Sequence, residues 1–161
     1  MKRVNSTCQE HRKALLPHEE TAAFFINKND KIKQTHIQME SQRPSCVEKA
    51  RQTLKDPTNV TLDEYIPDRF LCTGGSTAYK DPITCKGDSG GSLYLQKRKR
   101  YFQVGVVSWG TINVCAAGLR WTSDNPPPDA RDFHIDLFKI MPWLKQHLGQ
   151  EIQFLPDVEH Q

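Results

Sequence analysis

No run of apolar residues in this 161-residue sequence approaches the ~18 needed to cross a membrane. There is no internal repeat and no low-complexity tract, which sets aside repeat arrays and disordered linkers. No Cys-x-x-Cys pair or Cys/His cluster has zinc spacing, so no metal site and no cofactor are expected in this chain. Excess charge is small: a net +3 with 25% charged residues is ordinary for a soluble globular protein. Such a balance does not argue for nucleic acid or a membrane as partner, and neither is expected. The opening residues MKRVNSTCQEHRK are basic but carry no apolar h-region, so they do not read as a signal peptide. On that feature alone the chain would be cytosolic, and a cleaved signal would have to lie on preceding sequence.

The cysteines point the other way. Five are present, Cys8, Cys46, Cys72, Cys85 and Cys115, and they suit an extracellular framework of two bridges with one cysteine left over. Asn-x-Ser/Thr sequons at Asn5 and Asn59 agree with secretion. The length allows one domain with a real core. Residues 1–20 are polar and loop-like, 21–149 carry the regular elements, and 150–161 form a tail. Strands are expected at 21–27, 31–39, 69–73, 91–96, 101–109 and 131–136. A short helix is expected at 44–54. A second, at 137–148, should be distorted in its first turn and regular from Pro142 onward. The dense basic run Lys97-Arg98-Lys99-Arg100 reads as a solvated hairpin tip between two apolar strands. Six or so short strands with a terminal helix imply an all-β barrel or sandwich.

The chemistry concentrates in Gly87-Asp88-Ser89-Gly90-Gly91. Serine acyl transfer needs a hydroxyl projecting from a tight turn, with backbone N–H groups aimed at the developing oxyanion. Gly87 lets the backbone turn and approach a substrate, and the N–H groups of Gly87 and Ser89 are the candidate oxyanion hole. Gly90 and Gly91 keep bulk away as the chain enters the next strand. Asp88 is not read as a triad acid.

The flanks sharpen this. Cys85 precedes Ser89 by four residues, a strand pair follows, and Ser108-Trp109-Gly110 leads to Cys115. The arrangement resembles the C-terminal barrel of chymotrypsin-like serine proteases. More narrowly, residues 69–75 (RFLCTGG), 101–110 (YFQVGVVSWG) and 130–135 (ARDFHI) resemble the complement factor B and component two family. That likeness runs from about residue 7 to about residue 156. It implies a six-stranded antiparallel barrel with an intermediate and a C-terminal helix. It also implies bridges Cys46–Cys72 and Cys85–Cys115, with Cys8 pairing outside this sequence. Ser89 would be the nucleophile, and Ser108, Trp109 and Gly110 a wall of the primary specificity pocket. Trypsin-like enzymes place an aspartate six residues before the nucleophile, and Ile83 stands there instead. The complement pair takes its pocket acid from the strand after the Pro-rich loop, which here is Asp132. A carboxylate there would favour arginine.

By the same resemblance the protein is a secreted endopeptidase of complement activation, with the third and fifth complement components as substrates. A serine without a base is a weak nucleophile. None of the six histidines (His11, His18, His36, His134, His147, His160) stands in the family's Ala-Ala-His-Cys context. The base and its orienting aspartate are expected from an N-terminal barrel upstream. The chain by itself is therefore expected not to hydrolyse arginyl substrates. The alternative is a catalytically inactive binding fragment.

Overall fold

The computed structural model describes residues 8–16, 20–26, 31–39, 42–54, 68–76, 80–97 and 99–148. Asn5, Asn59, His18, His160, Arg98 and the tail from 150 onward lie outside them, as do the side chains of Cys8 and His11. Six strands form one closed antiparallel barrel: β1 (Glu20–Ile26), β2 (Lys31–Ile37), β3 (Phe70–Thr73), β4 (Ser92–Lys97), β5 (Arg100–Gly110) and β6 (Asp132–Asp136). Around the barrel they run β1-β2-β3-β6-β5-β4.

The period-2 pattern explains the strands. β4 exposes Ser92 and Gln96 and buries Leu93 and Leu95. Phe24, Ile37, Leu71, Leu93, Leu95 and Val104 fill the barrel, each nearly or fully excluded from solvent. Such burial stabilises by roughly 1.5–3 kcal/mol per large side chain. Two seams are narrow. Among the described residues β1 meets β4 through the pair Ala23↔Tyr94, and β2 meets β3 through Ile37↔Thr73, with one further bond from the Gln38 N–H to the Cys72 carbonyl at 2.9 Å.

Helix α2 (Gln42–Leu54) packs on the outer wall, where Cys46 and Ala50 meet Cys72 and Phe133. The bridge Cys46–Cys72 fastens it to β3. Phe133 is fully buried here and stacks on Trp109 at 4.5 Å. Phe133→Ala is expected to cost about 3–5 kcal/mol, read as a drop in the urea midpoint.

Three expectations need correction. Residues 8–15 are not loop but helix α1 (Cys8–Leu15). Its sequence CQEHRKAL carries almost no apolar stripe, so its hold is tertiary: Leu15 and Leu16 are buried, and Arg12 Nε donates to Asp136 Oδ2 at 3.0 Å. The terminal helix α3 (Leu137–Leu148) is regular α-helix through Pro142, without a distorted first turn. Its start is fixed by Asp136, whose Oδ1 accepts the Phe138 N–H at 2.9 Å as an N-cap, and by burial of Phe138 and Met141. α2 also begins at Gln42, two residues before the expected start.

Candidate active site

Residues 80–91 carry no regular element; their geometry comes from short hydrogen bonds. The Asp88 N–H donates to the Cys85 carbonyl at 3.0 Å, and the Gly91 N–H to the Asp88 carbonyl at 3.0 Å. Asp88 turns inward, is buried, and accepts the Cys85 N–H on Oδ2 at 2.7 Å. That inward turn leaves the neighbouring Ser89 exposed at the surface. Gly87 has φ 104, a left-handed conformation, and a Cβ there would meet open space. Backbone preference therefore asks for glycine at 87, and steric crowding does not.

Ser89 Oγ donates to the Ser108 carbonyl at 2.9 Å. What presents that carbonyl is a bulge. In the β5–β6 register Val107 faces His134 and Trp109 faces Phe133, so Ser108 is an extra residue on β5. Bulges of this kind bend a strand and re-aim its polar groups. The bonds Gly90 N–H to Val107 carbonyl (2.8 Å) and Val107 N–H to Gly91 carbonyl (2.9 Å) lock the serine turn against the same strand. The bridge Cys85–Cys115 ties the turn to the segment after β5.

Gly110 closes the β5 edge. It is exposed and faces Asp132 in register. A Cβ at 110 would collide with Asp132 Oδ1. Asp132 is fully buried, and its Oδ2 accepts the Thr84 N–H at 2.6 Å. Oδ1 has no hydrogen-bond partner among the described residues. Burial pushes this carboxyl up to about 7, against the opposing pull of the Thr84 hydrogen bonds; the charge of Asp88 adds to the rise. Ile83 is buried with Val114 and Ala130, and its backbone is clamped by Ser123 on both N–H and carbonyl at 3.0 and 2.7 Å. Ser89, Ser108, Gly110, Asp132 and Thr84 thus form a ring closed by contacts and chain continuity.

The described histidine side chains are engaged elsewhere. His36 Nδ1 lies 2.6 Å from Asp81 Oδ1, the His36 N–H donates to the same oxygen at 3.1 Å, and the Ser76 N–H reaches Asp81 Oδ2 at 2.8 Å. His134 is fully buried, with Nε2 2.8 Å from Thr73 Oγ1. His147 Nδ1 lies 2.9 Å from the Trp143 carbonyl. None of the three hydrogen-bonds Ser89. Among the described residues no group of three His, Cys, Asp or Glu could hold a metal ion, and no helix is long and apolar enough to cross a membrane.

Among known families, Trypsin matches residues 6–128, from before α1 through the serine turn and past Cys115. The chain belongs to the trypsin family. As a trypsin-family domain it brings the serine turn and the Ser-Trp-Gly strand together as its motifs imply, and both implied bridges are formed. These disulfides fit an extracellular protein. Complement factor B of Bos taurus is 40% identical over 150 residues, 91% of this chain and 19% of that protein. Complement C2 of Bos taurus is 40% identical over 158 residues, 94% of this chain and 20% of that protein. The chain spans about a fifth of the length of these curated relatives. Ser89 lies within the stretch that the trypsin family matches, and Asp132 stands just beyond it.

One site residue, Thr84, and one backbone feature, the bulge at Ser108, escape a reading of the sequence. Thr84 holds Asp132 through its backbone N–H, a group every non-proline residue has. The bulge at Ser108 depends on register, which no single strand encodes.

Proposed function

We propose that this chain supplies the nucleophile and the primary specificity pocket of a secreted complement serine endopeptidase that cleaves after arginine. Ser89 attacks the scissile carbonyl, and the N–H groups of Gly87 and Ser89 hold the oxyanion. Asp132 receives the arginine guanidinium, flanked by Ile83, Ser108, Trp109 and Gly110. By likeness to complement factor B and complement C2, the substrates are the third and fifth complement components. The observation that carries this reading is the partnerless, fully buried Asp132 Oδ1 beside exposed Gly110, on the strand whose Ser108 carbonyl receives the Ser89 hydroxyl. A buried acceptor of this kind gains most from a charged donor brought by a ligand.

A second reading, an inactive binding fragment, is favoured by one observation: the Ser89 hydroxyl donates to a backbone carbonyl, and no described side chain takes its proton. A peptide boronic acid ending in an arginine side chain separates the two. Boron adds to Ser89 Oγ to give a tetrahedral adduct, seen directly by boron NMR. The endopeptidase reading expects an adduct that Ser89→Ala abolishes. It also expects the arginine probe to bind at least about tenfold more tightly than its leucine counterpart. Equal binding of both probes would overturn the arginine pocket, and no adduct with either would leave the binding fragment standing.

A further inference from the structure

We propose that Arg131 is a positioning residue for the specificity pocket: without touching a ligand, its guanidinium fixes the entry of β6 and so aims the carboxyl of Asp132. The inference rests on the pocket role proposed for Asp132. Neighbouring residues on an extended chain face opposite ways. Asp132 turns toward Thr84 and Gly110, and Arg131 turns toward Gly75, just past β3. The Arg131 backbone is clamped to the residue after β5: its N–H donates to Thr111 Oγ1 at 3.0 Å, and its carbonyl accepts the Thr111 N–H at 2.9 Å. The side chain folds back on its own segment, where Nη1 donates to the Pro128 and Ala130 carbonyls, both at 2.8 Å. Ala130 in turn packs with Ile83 and Val114. Both chain neighbours of Arg131 are thereby held, Ala130 against Ile83 and Asp132 against Thr84.

Two glycines make the room for this guanidinium. Gly75 has φ 71, and a Cβ there would collide with Cζ and both Nη atoms of Arg131. A Cβ at Gly74 would press on the Ala130 carbonyl that the guanidinium binds. Arg131 is 7% exposed, and burial lowers its pKa from the usual arginine value, against the opposing charges of Asp129 and Asp81. Nε has no hydrogen-bond partner among the described residues. A cation so enclosed is costly where an apolar side chain could pack instead. What an apolar side chain cannot do is bind two main-chain carbonyls from a rigid planar group. That bond pair fixes the 128–131 segment immediately before the pocket carboxyl. Support of this kind decides how well a buried group meets its ligand.

The test is p-aminobenzamidine binding by the full chain, measured well below the thermal midpoint, for Arg131→Met, Arg131→Lys and Gly75→Ala beside Asp132→Asn. Arg131→Met is expected to weaken binding by the folded chain about tenfold. Arg131→Lys keeps a cation with donors for both carbonyls, so it should recover binding to within about threefold of the parent. Gly75→Ala displaces the guanidinium without removing it. It should weaken binding about fivefold in the parent and by less than about twofold in the Arg131→Met background. An arginine that only stabilises the fold would lower the thermal midpoint and leave the dissociation constant of the folded chain unchanged, and that result would overturn the proposal. So would equal effects of Gly75→Ala in the two backgrounds, or Arg131→Lys binding as weakly as Arg131→Met. If Asp132→Asn weakens binding and Arg131→Met does not, the positioning role alone fails. If neither weakens it, the pocket reading fails and takes this proposal with it.

Discussion

Asp132→Asn is expected to weaken p-aminobenzamidine binding by about 100-fold or more, because removing one partner of a buried charge pair costs several kcal/mol. Benzamidine carries a planar amidinium that resembles the arginine guanidinium, and its binding needs no catalytic turnover. Oδ1 of Asp132 lacks a partner and Oδ2 is held by Thr84, so an amidinium would complete the carboxylate. Because burial raises this carboxyl to about 7, binding by the parent should strengthen as pH rises from 6 to 8, and the variant should show no such rise. A dissociation constant unchanged by the substitution would sink the pocket assignment.

The second large effect is a hidden one. Asp132 and His134 stand two residues apart on β6, both fully buried. The folded pKa of Asp132 is raised from 3.8 to about 7. Its contribution to stability is fully present below 3.8 and is lost as pH climbs through 7. Burial lowers His134 from 6.5 to about 3. Its contribution is fully present above 6.5 and is lost as pH falls toward 3. Between pH 3.8 and 6.5 the two slopes are opposite and equal, about 1.4 kcal/mol per pH unit each. Urea midpoints should therefore diverge on acidification from pH 6.5 to 4. His134→Gln should gain stability and Asp132→Asn should lose it, by about 3 kcal/mol each relative to the parent. Parallel curves for the two variants would show that neither group is buried as described. The same data guard the benzamidine experiment, since Asp132→Asn should be the more stable chain at pH 8.

The serine turn was legible because both its chemistry and its backbone restrict the residues allowed. A left-handed position at Gly87 and an exposed hydroxyl at Ser89 leave few alternatives to glycine and serine. The hairpin strands were legible from alternation, as in Leu93 and Leu95 against Ser92 and Gln96. Helix α1 was not, because its stability comes from Leu15, Leu16 and a bond to Asp136, 124 residues away. The His36–Asp81 contact is likewise non-local, spanning 45 residues. Asp132 reads as an ordinary strand residue until β3, β5 and the 80–85 segment enclose it, and only resemblance had singled it out. Pro142 misled because a proline in a helix is costed locally, whereas α3 is held by its cap and by two buried side chains.

The two narrow seams give the barrel a mechanical character. Among the described residues β3, β6, β5 and β4 form one continuously paired sheet, and β1–β2 is a fully paired hairpin joined to it by one residue pair at β4 and by one pair and one further backbone bond at β3. Among the described residues the hairpin is therefore fastened to the rest of the barrel more by side chains than by its ladder: Phe24 and Ile37 are buried in the core, His36 Nδ1 lies 2.6 Å from Asp81 Oδ1, and Lys33 Nζ reaches Asp124 Oδ1 at 2.6 Å.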